Sequence, residues 1–393
     1  MKVKVTSHSA KWVLSIIIFS QFCCTSLWFA GNSIIEDLIS AFNISTESLG
    51  YISGSVQFGF ILGTLVFAIL TLSDRFSPSK IFFICAVLGA GFNLGMLYSN
   101  NTITTLLCFR FLTGFSLAGI YPVGMKIAAD HFEKGLKKSL SFLVAALVLG
   151  TAFPHLIKSI GVNLNWESVI WVTSTLTLLG GLLMLVYVKN GPYQKLADKF
   201  DASKILKVFK NPLFRSAAFG YFGHMWELYA FWTFIPILLL TYSQTHNIQL
   251  NISLFSFIII APGTIACIIG GYISSRIGAK KTAVIALSIS GLCCLLSPLF
   301  FFINSSIIFI TFLIIWGMTV IADSPLFSTL IAQNSNAQSK GTALTIVNCI
   351  GFAITIVSIQ ILNFFIASYD ATPFAFLILA LGPIIGLIYL KKT

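Results

Sequence analysis

The chain has 393 residues, of which 57% are hydrophobic and 9% charged, and its mean hydropathy is +0.93; an ordinary soluble domain carries roughly 25% charged residues. This is the composition of a multi-span membrane protein. The formal net charge of +12 does not indicate nucleic acid, because a basic groove needs Lys and Arg clustered on a solvated fold, and almost no solvated fold is available. Eight cysteines all lie inside apolar runs, without the spacing of a metal site or a disulfide framework, and read as small core residues. Neither metal nor cofactor is expected.

A spanning helix needs about 20 apolar residues, and on that rule the chain divides into twelve runs: 12–31, 48–72, 80–99, 103–127, 139–160, 167–188, 214–240, 252–273, 282–302, 308–331, 341–363 and 373–390. The first is longer than the core of a signal peptide, and no clear cleavage site follows it. With both termini placed in the cytoplasm, 22 of the 24 Lys and Arg fall in inside segments, and the other two, Arg110 and Lys158, fall in spans. No outside loop carries either residue type. The alternation fixes an orientation by the positive-inside rule and accounts for the net charge.

Residues 189–213 are long, basic and polar and separate six spans from six. The expected organisation is an N-terminal half (1–188), a cytoplasmic linker (189–213) and a C-terminal half (214–393). Within the linker, LADKFDASKILKVF has the pattern of an amphipathic surface helix or of a solvated tether. The halves look like a repeat. LSDRFSPSK follows the second span and GGYISSRIGAKK the eighth, with Arg75 and Arg276 201 residues apart. Gly114 with Gly317 and Pro122 with Pro325 are both 203 apart, and Lys138 with Lys340 is 202 apart.

On these features the chain resembles the major facilitator superfamily of secondary transporters over essentially its full length. That family's signature after the second span is roughly G-x-x-x-D-R-x-G-R-R/K. Asp74 and Arg75 match it, while Leu70, Ser77 and Pro78 depart from it; in the second copy Gly271, Arg276, Gly278 and Lys280 match, with Ser275 in place of the Asp. Arg110 and Gly114 meet the fourth span's R-x-x-x-G. The fifth span's G-x-x-x-G-P is half met by Gly150 and Pro154, with Phe153 where the second Gly belongs. The resemblance implies an all-α membrane protein of twelve transmembrane helices in two six-helix pseudo-symmetric halves around a central cavity. That cavity would be lined mostly by spans one, four, seven and ten.

Ionisable groups at membrane depth are costly and usually face a partner or a water-filled path. His224 and Glu227, three residues apart, project from one side of the seventh span and head the list for proton coupling, followed by Asp323 beside Ser324 and Pro325, where the proline invites a hinge. Arg110 cannot deprotonate and needs an anion, so it is the candidate counter-charge from the other half. Tyr221, Trp226, Tyr229 and Trp232 surround the His/Glu pair as rings for a substrate or for packing. Gln57, Asn32, Asn93, Asn348 and His155 are candidate cavity polar groups, and Lys158 reads as a snorkelling residue. Asp74, Arg75 and Arg276 form the expected cytoplasmic gate, with Asp74 latching to a helix N-terminus or to a basic residue of a neighbouring span. Gly59 with Gly63 and Gly91 with Gly95 have the spacing of close helix contacts.

The expected function is proton-coupled transport of a small organic solute by alternating access. Alternatives are a multidrug or metabolite efflux antiporter, siderophores included, and a facilitative uniporter; a transport-inactive receptor keeps the same fold. An intramembrane enzyme lacks support, since no H-E-x-x-H or G-x-S-x-G is present. The expected partners are a small-molecule substrate, protons and membrane lipid, with no nucleic acid, and the expected state is a monomer in a bacterial inner membrane. Sequons at Asn43, Asn100, Asn251 and Asn304 keep a eukaryotic surface open as a second location.

Overall fold

The computed structural model describes residues 7–132, 136–160, 165–194, 208–335, 340–369 and 372–392. Most of the proposed amphipathic segment lies outside them. Eleven helices among the described residues are long and apolar enough to cross a membrane, and the shorter apolar α1 (Ser7–Thr25) supplies the twelfth crossing. The others are α2 (Ser48–Ile69), α3 (Pro78–Leu97), α4 (Ile103–His131), α5 (Leu136–Ile160), α6 (Glu167–Tyr187), α7 (Pro212–Thr245), α8 (Ile252–Ile277), α9 (Ala279–Phe301), α10 (Ser306–Gln333), α11 (Lys340–Tyr369) and α12 (Pro373–Lys391). The apolar runs anticipated each of them to within a few residues.

Four of the described crossings are broken by turn residues, three of them at a proline. Helix α1 stops at Thr25 and the chain turns through Ser26–Phe29 before a short helix at Ala30–Ser33. Helix α4 breaks at Gly119–Ile120 and restarts at Tyr121–Pro122, and α10 breaks at Asp323 and restarts at Ser324–Pro325. Helix α8 breaks at Ala261–Pro262. In the last three a proline stands at or just after the break, where its missing N–H costs least.

The repeat is visible at the level of single atoms. A Cβ on Gly114 would run into the carbonyl oxygen of Val56, and a Cβ on Gly317 into that of Ile259. Both members of these contacts are 203 residues apart, so α2 crosses α4 as α8 crosses α10. Of the other glycine pairs, Gly59 and Gly63 abut the backbone of α4 and Gly95 abuts Phe109, but Gly91 has nothing within 4 Å. The expected contact at Gly91 is therefore absent; the residue is exposed on α3.

Between the halves, α11 packs along α2, and α5 along α8. At the end of this seam away from the termini, Gln360 Nε2 donates to Gly50 O at 2.9 Å and Asn363 Nδ2 to Glu47 O at 3.1 Å. Glycine at positions 50 and 54 leaves room for these two side chains.

Candidate functional site

The seventh helix carries the titratable groups, but they do not work as one pair. His224 Nδ1 lies 2.8 Å from Asp323 Oδ1, with both side chains at most 1% exposed. The approach has ion-pair distance without hydrogen-bond alignment, and His224 Nε2 and Asp323 Oδ2 have no hydrogen-bond partner. The acid sits at the break of α10, where its carbonyl accepts from both Leu326 N and Phe327 N at 2.9 Å. The pair thus ties α7 to the hinge of α10, with Tyr221 and Phe327 as flanking rings.

Glu227 points elsewhere. Its carboxylate accepts from Trp316 Nε1 at 2.7 Å, Ser290 Oγ at 3.0 Å and Cys294 Sγ at 3.3 Å. These donors come from α9 and α10, so Glu227 is enclosed within the second half and does not face the space between the halves, contrary to the expectation. Three residues of helix put it about 60° round from His224, enough to reach a different neighbour.

Arg110 is a second correction. Its guanidinium donates to Leu27 O at 3.1 Å, Trp28 O at 2.6 Å and Asn93 Oδ1 at 3.3 Å. It has no acidic partner among the described residues and does not reach His224 or Glu227. The cause is the early end of α1. Leu27 and Trp28 lie in the turn just past Thr25, outside the helical ladder, and a buried cation beyond a helix C-terminus also meets the negative end of the dipole. Asn93 in turn donates to Thr173 and Ser174 of α6, so α1, α3, α4 and α6 are joined by one network.

Across the seam the contacts are aromatic. Trp28 stacks on Tyr229 at 5.8 Å and on Phe352 at 5.9 Å, and tilts against Phe60 at 4.9 Å. Phe29 stacks on Tyr229 and meets Trp232 edge-on at 6.3 Å. Six rings from the turn after α1 and from α2, α7 and α11 thus pack into one layer across the seam. The sequence reading identified Tyr229 and Trp232 but missed Trp28, Phe29, Phe60 and Phe352. The available signal was the Trp28–Phe29 doublet just before Gly31 and Asn32.

The remaining candidates separate into lining and scaffold. Tyr221 packs over Gly351 of α11. Trp226 donates its Nε1 to Ile378 O at 3.0 Å and covers Gly382; it faces α12, so its expected place in the cavity is overturned. Asn32 donates to Ser53 at 2.7 Å and braces the end of α1. Gln57 is buried with Oε1 unpaired, His155 is buried with Nε2 unpaired, and Asn348 is half-buried on α11. Lys158 pairs with Asp37 at 2.6 Å and does not snorkel free. Asp74 pairs with Lys126 of α4 at 3.0 Å, and Lys126 also approaches Asp130 at 3.7 Å; the pairing stays within the first half. Arg75 Nε donates to Thr71 and Arg276 stands exposed. A crevice of about 790 Å³ lies between α5, α8, α10 and the start of α9, with Lys280 and Lys281 in its lining.

The family model described as Major Facilitator Superfamily matches residues 17–359. The chain belongs to the major facilitator superfamily. This superfamily comprises transporters, not enzymes. The chain is 26% identical over 235 residues to the uncharacterised transporter YgaY of Escherichia coli O157:H7, covering 55% of the chain and 57% of that protein. It is 28% identical over 173 residues to the 4-hydroxybenzoate transporter PcaK of Pseudomonas aeruginosa, covering 44% and 36%. The matches therefore span about half or less of these relatives. Among solved structures, the proton:xylose symporter XylE superposes with a TM-score of 0.76 at 12% identity, over 98% of this chain and 96% of that one. A bacterial homologue of the lysosomal transporter Spinster, solved in an inward-facing and occupied conformation, gives 0.71 at 14%, over 97% and 96%. At those identities the likeness is one of fold, and it supports twelve helices.

Proposed function

We propose that the protein is a proton-coupled secondary transporter of a small organic solute, working as a monomer in a bacterial inner membrane with both termini in the cytoplasm. The observation that carries this reading is the buried His224–Asp323 pair at the break of α10. With a proton on the imidazole and none on the carboxylate, the pair draws the hinge of α10 against α7. A second proton on Asp323, or loss of the one on His224, removes the attraction. Removing one partner of a buried ion pair costs about 3–5 kcal/mol, a scale comparable with the roughly 5.5 kcal/mol that takes a two-state balance from 1:99 to 99:1. Protonation at this point can therefore decide which face is open.

The other groups take supporting parts. Glu227, with three donors and no cation in contact among the described residues, keeps α7, α9 and α10 together and is the second proton-carrying candidate. Asp74 with Lys126 steadies the cytoplasmic ends of α2 and α4, and Gln360 and Asn363 hold the outer end of the seam shut in this conformation. Purified protein in liposomes should move its solute faster under an imposed pH gradient. Flux indifferent to the gradient in the wild type would instead indicate a facilitative uniporter.

A further inference from the structure

The four tryptophans packed among the helices fall into two kinds. Trp226 and Trp316, inside the second half, give their indole N–H to Ile378 O and Glu227. Trp28 and Trp232, on the seam between the halves, are 1% and 0% exposed, and neither Nε1 has a hydrogen-bond partner. Buried polar groups are nearly always paired, and each exception calls for a cause; a buried indole N–H in particular usually finds an acceptor. Here two orphan donors stand in one aromatic layer with Phe29, Tyr229 and Phe352. The layer itself contains no Lys, Arg, Asp or Glu. The nearest cation is Arg110, which holds the Trp28 carbonyl at 2.6 Å and whose Nε is also unpaired. The buried acids of the second half are already engaged, Asp323 by His224 and Glu227 by Trp316, Ser290 and Cys294.

We infer that this layer is the substrate-recognition site and that it selects planar aromatic carboxylates: the ring takes a place in the stack between Trp28 and Tyr229, and the carboxylate accepts from the indole N–H groups. Three features of the layer match three features of such a ligand. Near-parallel rings from the two halves, with centroids 5.8 Å apart and planes 19° from parallel, suit a flat ring that intercalates as the seam parts. Two N–H donors suit two acceptor oxygens. The field of Arg110, uncompensated by an acid in contact, favours an anionic head over a cationic one. Because the donors sit in the turn after α1 and on α7, one ligand engages both halves at once, and its arrival or departure bears directly on whether they part. The inference rests on the transporter reading for its meaning, but binding can be measured without flux.

The test uses the full-length protein in lipid nanodiscs with benzoate, cyclohexanecarboxylate and benzylamine as calorimetric probes. Benzoate should bind, cyclohexanecarboxylate should bind at least about tenfold more weakly, and benzylamine should not bind. Trp28→Phe and Trp232→Phe keep a ring in the stack and delete only the N–H. Each should weaken benzoate about tenfold, the scale of one charge-assisted hydrogen bond, with an unchanged melting temperature. Equal binding of benzoate and cyclohexanecarboxylate overturns the aromatic selection, and preference for benzylamine overturns the anionic one. Full affinity in both Phe variants overturns the role of the donors. Benzoate binding without flux in liposomes sinks the transporter reading and leaves the site; gradient-driven flux of another solute with no benzoate binding sinks the site alone.

Discussion

The two halves of the molecule solve the same packing problem with opposite charges. In the first, a buried arginine joins α1, α3 and α4 by donating to backbone carbonyls and to an asparagine. In the second, a buried glutamate joins α7, α9 and α10, the corresponding helices, by accepting from an indole, a hydroxyl and a thiol. Among the described residues, only the second half then adds a fully buried titratable pair, since the ion pairs of the first half keep part of their side chains exposed. The repeat offset of 203 places Gln21 opposite His224 and Ile120 opposite Asp323, so the first half has an amide and an alkyl group where the second has an imidazole and a carboxylate. An arginine does not give up its proton under working conditions, whereas histidine and carboxylates do. On the proposed proton-coupled reading, the fixed scaffold belongs to the first half and the proton chemistry to the second.

The largest expected effect that tests this contrast is at Asp323. Asp323→Asn should abolish gradient-driven accumulation while solute exchange at equal pH continues, measured in liposomes; surviving accumulation would transfer the proton role elsewhere. Next comes the first half's knot. Arg110→Leu strands Trp28 O and Asn93 Oδ1 and leaves Leu27 O with only a long 3.5 Å bond from Ala30 N, and each buried acceptor left unpaired costs on the order of 1–3 kcal/mol. Its melting temperature should drop steeply, and a change confined to transport would show that Arg110 acts on the solute or proton instead. Gly114→Val and Gly317→Val should be about equally damaging to folded yield, since each drives a side chain into the equivalent carbonyl of the helix it crosses, Val56 O or Ile259 O; a large disparity would break the structural equivalence. The smallest effect belongs to Gly91→Ala, which meets open space and should change stability by less than about 1 kcal/mol, toward greater stability if anything, by helix propensity.

The fold was almost fully legible because a bilayer leaves so little choice. A backbone in hydrocarbon must pair its own polar groups, so runs of about 20 apolar residues become helices, and the Lys and Arg pattern orders them. The site was legible by residue type but not by direction. Composition showed that His224, Glu227, Asp323 and Arg110 needed partners; it did not show that Glu227 would turn toward Trp316 or that α1 would end early and claim Arg110 for its carbonyls. Those outcomes depend on helix rotation and on a break with no proline to announce it. Trp28 was overlooked for the same reason, since an aromatic in an apolar run looks like packing until its ring is found against the other half and its N–H without an acceptor.

The most direct measurement of the central claim is solute-driven proton uptake by the reconstituted protein, read with a pH dye in the liposome lumen for wild type, Asp323→Asn, His224→Gln and Arg110→Lys. The account predicts that the proton signal vanishes in the first two variants while solute exchange persists, and that Arg110→Lys, where folded, keeps it. A proton signal that survives Asp323→Asn and His224→Gln, or that disappears in a stable Arg110→Lys with exchange intact, contradicts the assignment of proton coupling to the second half.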